Sequence, residues 1–346
     1  MPTIAVDAMG GDFAPDEIVH GVARVSIESE IPCVLVGDER RIRDLLARQS
    51  HRGERIDVVH AGSVIGMEEE PKQAIRDKHD CSLVVGAELV AAGKADALVS
   101  AGNTGACVLA CARSFRAISG VRRTALASVF PRKVRYEGQD PLGLLLDVGA
   151  TIRCESPELV QFAIMGSAYA KRISKVPSPR VGLLNMGSEP VKGGPVLSET
   201  FRTLGAVPGL NFVGNIEGND LATGKADVIV CEGLLGNVAL KLIEGVAEVV
   251  VDIASFAARE SWRWRLGLAL LSTGIRQVRD LTDYSNYGGS PILGFEKLFI
   301  KAHGRSNAKA IANAVKVAAK AVRDDVSGEI ARMVATVPGQ AERRES

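Results

Sequence analysis

The segment Gly182-Leu183-Leu184-Asn185-Met186-Gly187-Ser188-Glu189-Pro190-Val191-Lys192-Gly193-Gly194 sets the architecture of this chain. Its first residues close the apolar run 181–184, which has the length and composition of a buried strand end. The chain then breaks into glycines, an amide, a carboxylate and one lysine before a helix expected from near Val196. Strand, glycine-rich loop and helix in that order form the repeating unit of an α/β sheet, whose ligands bind at the carboxyl ends of strands. Glycines let a backbone come close to a phosphate, and a lysine offers it a compact charge. A plain polar connection with Lys192 in water has the same composition. The decision therefore rests on whether other strand exits repeat the pattern.

They do. The run 3–6 leads into Asp7-Ala8-Met9-Gly10-Gly11-Asp12, with a helix expected from Pro15 and Asp16, where proline and acids suit a first turn. Strands are expected at 32–36, 56–59 and 95–100, and helices at 38–49 and 82–92. The strand at 95–100 ends in Ala101-Gly102-Asn103-Thr104-Gly105, directly before a small-residue helix at 106–115 whose free N–H groups make a ready anion seat. Residues 66–80 are dense in charge: a solvated loop, a helix start or a lid. Strands at 125–130 and 142–148 follow, the second ending in Asp147-Val148-Gly149, and then a helix at 157–172.

Beyond the opening segment, Phe212-Val213 leads to Gly214-Asn215-Ile216-Glu217. The run 227–230 leads to Cys231-Glu232-Gly233 with Asn237 beyond. Tyr287 to Pro291 is turn chemistry. A strand at 297–302 ends in His303-Gly304-Arg305-Ser306-Asn307, where Ser306 or Asn307 suits the cap of a helix running to about Arg323. Six or seven exits thus offer Asn, Asp or Glu, and Gly, from which one shared cleft is expected.

The totals narrow the class. With 346 residues and 46% hydrophobic, the chain fills one large α/β unit or two lobes. A net charge of +1 with 4% aromatics gives no footprint for nucleic acid. Cys33, Cys81, Cys107, Cys111, Cys154 and Cys231 lie in apolar segments without C-x-x-C or a histidine at metal-ligand spacing, so buried thiols are expected and no metal. Neither GxGxxG nor GxxxxGK[ST] occurs, which leaves nicotinamide and Walker-type nucleotide readings poorly supported; no cofactor is expected. The N-terminus enters a strand directly, and no apolar run approaches the ~20 residues that span a bilayer. A cytoplasmic location is expected.

One helix departs from the pattern. From about 234 to 260, Lys241, Glu244, Glu248, Asp252, Ser255 and Arg259 form one narrow polar stripe, and the remaining circumference is largely apolar. Such a helix is covered from more than one side, so a homodimer contact is expected. Trp262, Trp264, Leu266, Leu268, Leu270 and Leu271 follow among arginines, a composition suited to a membrane headgroup interface or to a hairpin tip folded on a partner copy.

Together these stretches resemble the bacterial phosphate acyltransferases of phospholipid synthesis. The matching segments are DAMGGDFAP (7–15), SAGNTGA (100–106), LLDVGA (145–150), GLLNMGSEPVKG (182–193), FVGNIEGND (212–220), CEGLLGNVALKLIEG (231–245), YGGSPILG (287–294) and AHGRSNAKAIANAV (302–315). They run in order along nearly the whole chain. The sequence departs from the family pattern at Thr151 and Glu232, where Asn and Asp are usual, and at Phe295-Glu296-Lys297. The resemblance implies a three-layer α/β/α sandwich with a mostly parallel sheet, related to phosphotransacetylases and to isocitrate and isopropylmalate dehydrogenases. On that basis residues 1–335 form one catalytic domain, 250–285 a protruding helical hairpin for dimer and membrane, and 336–346 a disordered tail. It also implies a homodimer, peripheral association with an anionic membrane, and hand-over of product to a membrane glycerol-3-phosphate acyltransferase.

The expected reaction is attack of inorganic phosphate on the thioester of an acyl carrier protein. Proximity and fixed donors dominate such a reaction, with no Ser-His-Asp triad. The expected catalytic residues are Lys192, His303, Asn185 and Asp7. Phosphate or substrate contacts are expected from Gly10, Gly11, Asn103, Thr104, Glu189, Asn215, Glu217, Asn237 and Ser306. Arg122, Arg123, Arg132, Lys133 and Arg135 are either a docking patch for an acidic carrier or a solvated edge. A phosphometabolite-binding protein without chemistry and a nicotinamide-dependent dehydrogenase are the competing readings.

Overall fold

Short apolar runs separated by glycine-rich turns become eleven strands among the described residues, which in this computed structural model are 1–135, 140–260 and 284–336, with 263 and 267. They are β1 (Ile4–Asp7), β2 (Cys33–Gly37), β3 (Ile56–His60), β4 (Ala97–Ser100), β5 (Ala125–Pro131), β6 (Leu142–Leu146), β7 (Arg180–Leu184), β8 (Asn211–Ile216), β9 (Val228–Val230), β10 (Ser290–Leu293) and β11 (Leu298–Lys301). The helices are α1 (Asp16–Glu28), α2 (Glu39–Leu46), α3 (Pro71–Asp77), α4 (Ser82–Ala91), α5 (Thr104–Ser114), α6 (Ser156–Arg172), α7 (Gly194–Ala206), α8 (Gly233–Glu260), α9 (Ala308–Arg323) and α10 (Val326–Ala335).

All strands join one sheet in the order β3-β2-β1-β4-β11-β10-β5-β6-β9-β7-β8. Successive strand side chains point to opposite faces, and the buried residues sort by that rule. Ile4, Val6, Val99, Ile300, Leu144 and Val230 join a core with α1, α6, α9 and α10. Their neighbours Ala5, Leu98, Phe299, Leu145 and Ile229 join another with α4 and α5, against which α8 packs. That is the three-layer α/β/α sandwich expected from the sequence. Most of the strand pairings are parallel.

The exceptions decide where sites form. β10 is antiparallel to both β11 and β5, and β5 is antiparallel to β6. Three reversals in a row leave β6, β9, β7 and β8 running opposite to β1, β4 and β11. The sheet is therefore two parallel blocks of opposite direction joined by an antiparallel seam. At the seam the carboxyl end of β11 lies beside the start of β10, whereas β6 ends beside the start of β5.

Local chemistry sets the element ends. The Asn103 side chain accepts from Ala106 N to start α5, Asn307 accepts from Ala310 N to start α9, and Glu158 folds back on Glu155 N to start α6. The turn read at 287–291 is the entry to β10: Gly288 and Gly289 have φ of 74° and 85°, and a Cβ at either would run into the backbone of Asn313 or Lys301. The charged run 66–80 contains α3, capped by the Glu70 carboxylate.

All six cysteines are buried and free. Burial pushes the Cys107 thiol up to about 12, the behaviour of inert core thiols. Among the described residues no helix is long and apolar enough to cross a membrane. Trp262, Trp264, Leu266, Leu268, Leu270, Leu271 and the tail from 337 lie outside the described residues.

The basic cluster divides. Arg132 is buried and donates to the Asp227 carboxylate and to the carbonyls of Ala226 and Asp140. Asp227 also receives the Arg180 backbone N–H and guanidinium. Arg132 therefore ties β5 to β9 and β7 and is unavailable to a docking partner, while Arg122 and Arg123 are exposed elsewhere.

Candidate active site

A cleft of about 460 Å³ opens over the antiparallel seam. Its floor is β5, through Leu126, Ser128 and Phe130. Its roof is α8, which leaves the β9 exit and crosses the sheet, placing Asn237, Leu240, Lys241 and Glu244 over the floor at helical spacing. The end wall is the β11 exit, with Lys301, His303, Arg305 and Ser306. Asp12 from the β1 exit, Met67 from the charged run and Thr104 from the start of α5 complete it.

The expected residues fall into three groups. Thr104, Asn237, His303 and Ser306 line this cleft. Lys192, Asn185, Glu189, Asn215 and Glu217 sit at the β7 and β8 exits, and none of them lines it. The shared cleft expected from composition thus takes in the β1, β4, β6 and β11 exits, through Asp12, Thr104, Gly149 and His303, while the β7 and β8 exits do not line it. Asn185 donates to Lys192 O and accepts from Met186 N, and Asn215 donates to Glu189 O. Both amides hold the 185–193 loop in shape, and Lys192 is exposed at its end.

Asp7, Gly10, Gly11 and Asn103 build the wall behind the cleft. Asp7 is buried, and its carboxylate accepts from Ser100 Oγ at 2.6 Å, joining the β1 and β4 exits. Gly10 packs against that carboxylate and Gly102, leaving no room for a Cβ. Gly11 has φ of 115°, a conformation glycine alone adopts readily. Asp12 N then donates to Gly304 O, fastening the β1 loop to the β11 loop. Asn103 caps α5 with its oxygen, and its nitrogen donates to the carbonyls of Met67 and Glu69. Thr104 is the member of that loop on the cleft.

The end wall carries the chemistry. Ser306 is 2% exposed, and its Oγ has no hydrogen-bond partner among the described residues. It lies two residues before α9, where backbone N–H groups favour an anion. Lys301 is buried and donates to Ala302 O. Burial pulls its pKa below 10.5, a shift opposed by the charges of Cys107, Asp7 and Asp12. His303 Nδ1 accepts from Arg305 N at 3.2 Å, so the neutral ring carries its proton on Nε2. Burial, and then the Lys241 charge, hold His303 below its ordinary 6.5, while Glu244 opposes. At neutral pH this histidine is a donor of one N–H rather than a cation. The exposed Asn237 side chain faces the same space.

The sequence reading missed Lys301, and Thr151 entered it only as a departure from the family pattern. Lys301 is the last residue of a buried strand, and only its charge in the apolar run 298–302 could have flagged it. Thr151 donates to Asp147 and accepts from Gly233 N, locking the start of α8 to the 147–151 turn. The Asp147 carboxylate also accepts from the backbone N–H groups of Leu126, Gly149, Ala150 and Thr151. Its role at this exit is structural.

Residues 2–329 match the fatty acid synthesis protein family. A phosphate acyltransferase of Dictyoglomus turgidum is 43% identical over 328 residues, covering 94% of this chain and 96% of the relative. One of Moorella thermoacetica is 41% identical, covering 99% of this chain and 97% of the relative. Among solved structures, a phosphotransacetylase from Streptococcus pyogenes superposes with a TM-score of 0.63 at 17% identity, covering 93% of this chain and 94% of that one; this supports the fold alone. With identity above 40% sustained over almost the full length, the chain belongs to the fatty acid synthesis protein family and, within it, to the phosphate acyltransferases, enzymes that transfer acyl groups.

Proposed function

We propose that this enzyme transfers a fatty acyl group from the thioester of an acyl carrier protein to inorganic phosphate, releasing acyl phosphate and the carrier thiol. The observation that carries the reading is Ser306: a buried hydroxyl with no partner among the described residues, on the cleft wall, at a helix N-terminus. Leaving such a group unsatisfied costs about 1–3 kcal/mol, and a phosphate oxygen supplies the missing acceptor. Lys301 is the nearby buried cation in this wall, and Thr104 supplies another hydroxyl. Asn237 and His303 Nε2–H are the donors for the thioester oxygen as it gains charge.

In the reaction a phosphate oxygen bonds to the carbonyl carbon, and the C–S bond breaks with its electron pair going to sulfur. Hydrogen phosphate gives its own proton to the departing thiolate, because an acyl phosphate is the stronger acid. No protein base is consumed. The cleft aims the dianion and fixes donors where charge develops, which are the dominant sources of rate in such a transfer.

A passive phosphometabolite binder needs the Ser306 seat but has no use for a further donor such as Asn237 on the roof. A nicotinamide-dependent dehydrogenase lacks its glycine fingerprint here. The working form proposed is a homodimer. On α8 the apolar side chains Leu234, Val238, Leu242, Val246, Val249, Ile253 and Phe256 are all exposed, Leu242 by 66%. A stripe of that size on a cytoplasmic protein calls for a cover, and a second copy of the same helix supplies one. The segment carrying Trp262 and Trp264 is proposed to rest on an anionic membrane surface, where a membrane glycerol-3-phosphate acyltransferase takes up the acyl phosphate.

The deciding experiment incubates purified protein with phosphate and acyl carrier protein thioester and traps the product with hydroxylamine. Acyl hydroxamate that depends on phosphate is expected; thioester left intact refutes the assignment. Deletion of 262–271 should abolish pelleting with anionic vesicles, and unchanged pelleting removes the membrane role.

A further inference from the structure

A second cavity of about 390 Å³ lies behind the first, on the far side of the 148–151 turn. The two share a wall: Leu126, Val148 and Gly149 line the cleft, and Thr124, Ala150 and Thr151 line the second cavity. Only the first residues of β5 and one turn separate them. The trough is apolar inside, where Phe115 and Phe295 meet edge to face at 5.9 Å beside Val121. Its mouth is basic. Arg122 and Arg123 line it and are exposed. The chain from Arg113 to Arg123 holds four arginines and no acid. Arg123 is paired with Glu158 at 2.7 Å, whereas the Arg122 side chain has no partner among the described residues and only its backbone N–H is engaged, by Gln161.

From these features we infer that the trough and its arginine mouth receive the carrier itself: an acidic protein whose thioester hangs on a flexible arm joined through a phosphodiester. This rests on the thioester-to-phosphate reading of the cleft. The arginines match both the acidic surface and the phosphodiester, by charge and by bidentate geometry. The apolar trough shelters the arm, whose far end meets the cleft around Gly149, an exposed residue with nothing within 4 Å of its would-be Cβ. Phosphate then enters from the α9 side and the thioester from the α5 side, so the two reactants reach the seam by separate mouths.

The test compares two donors, acyl carrier protein thioester and acyl-pantetheine thioester, on wild type and Arg122→Glu at saturating phosphate. Reversing the charge of an unpartnered side chain should raise the carrier KM at least ~10-fold, leave its kcat within about two-fold, and leave the small thioester unaffected. The salt dependence of the carrier KM should shrink in the variant. Ala112→Phe, which narrows the trough without changing charge, should raise KM for both donors. An unchanged carrier KM in Arg122→Glu overturns the inference. Anisotropy titration of fluorescent, acyl-free carrier reads docking without turnover. Weakening by Arg122→Glu supports the surface even if no acyl phosphate forms, whereas product formation with equal binding by both proteins rejects the surface alone.

Discussion

Ser306→Ala should push stability and phosphate binding in opposite directions. The buried hydroxyl has no partner among the described residues, so its removal relieves a penalty of about 1–3 kcal/mol, offset in part by the small void, and a net gain of ~1 kcal/mol is expected in phosphate-free buffer. For a chain of this length that is roughly 1–2 °C in Tm. With phosphate present the same substitution deletes a hydrogen bond to a charged group, worth about 1.5–3 kcal/mol, which weakens phosphate ~10- to 100-fold. Phosphate at about a hundred times the wild-type Kd stabilises wild type by ~2.7 kcal/mol but the variant by only ~0.4–1.4. The melting curves must therefore cross: the variant unfolds higher in phosphate-free buffer and lower in excess phosphate. Thermal unfolding against phosphate concentration reads the crossing, and hydroxylamine trapping should give a phosphate KM raised by the same factor. A variant that melts lower without phosphate and shows the wild-type phosphate shift would falsify the assignment of this hydroxyl.

Three further outcomes follow from the same geometry. Because burial lowers the Lys301 pKa below 10.5, its charge is lost early on the alkaline side; kcat/KM for phosphate should fall there, and Lys301→Arg should move that limb upward, an unchanged limb excluding Lys301 as the phosphate cation. The unfolded chain holds the same proton more tightly, so this lysine's contribution to stability rises with pH up to about 10.5 while activity declines. Asp227→Ala strands the buried Arg132 charge and should cost about 3–5 kcal/mol in urea unfolding. Burial pushes the Asp227 carboxyl up, but the Arg180 and Arg132 bonds outweigh it and hold it below 3.8, so its stabilisation is present above that pH and lost as pH falls through the folded value. Lys192→Ala removes a charge from the exposed loop outside the cleft, and is expected to raise substrate KM more than it lowers kcat; a fall in kcat of ~10²-fold would bring that loop into the reacting geometry.

Ten of the eleven strands were legible as short apolar runs, most of them closed by glycine, whereas β10 read as a turn; the three layers follow from side-chain parity. Direction was not legible. Nothing in the composition at Asn185 or Asn215 distinguishes an exit on one side of the seam from Ser306 on the other. The reversal depends on β10, whose four residues begin inside a glycine turn and give no periodic signal. Of the amides expected to converge, Asn237 lines the cleft because α8 carries it across, while Asn185 and Asn215 lie at the β7 and β8 exits. Lys301 was invisible for a related reason: a lysine ending an apolar strand reads as a solvated terminus until the neighbouring loops bury it.

α8 turns Asn237 and Lys241 toward the cleft and Leu242 and Ile253 away from it. One rigid rod thus serves as both ceiling and outer flank. If the flank is where two copies meet, separating them by dilution loosens the ceiling that aims the carbonyl, and specific activity becomes a function of protein concentration. A bulky residue on the outer side then acts at a distance, changing turnover without touching either reactant.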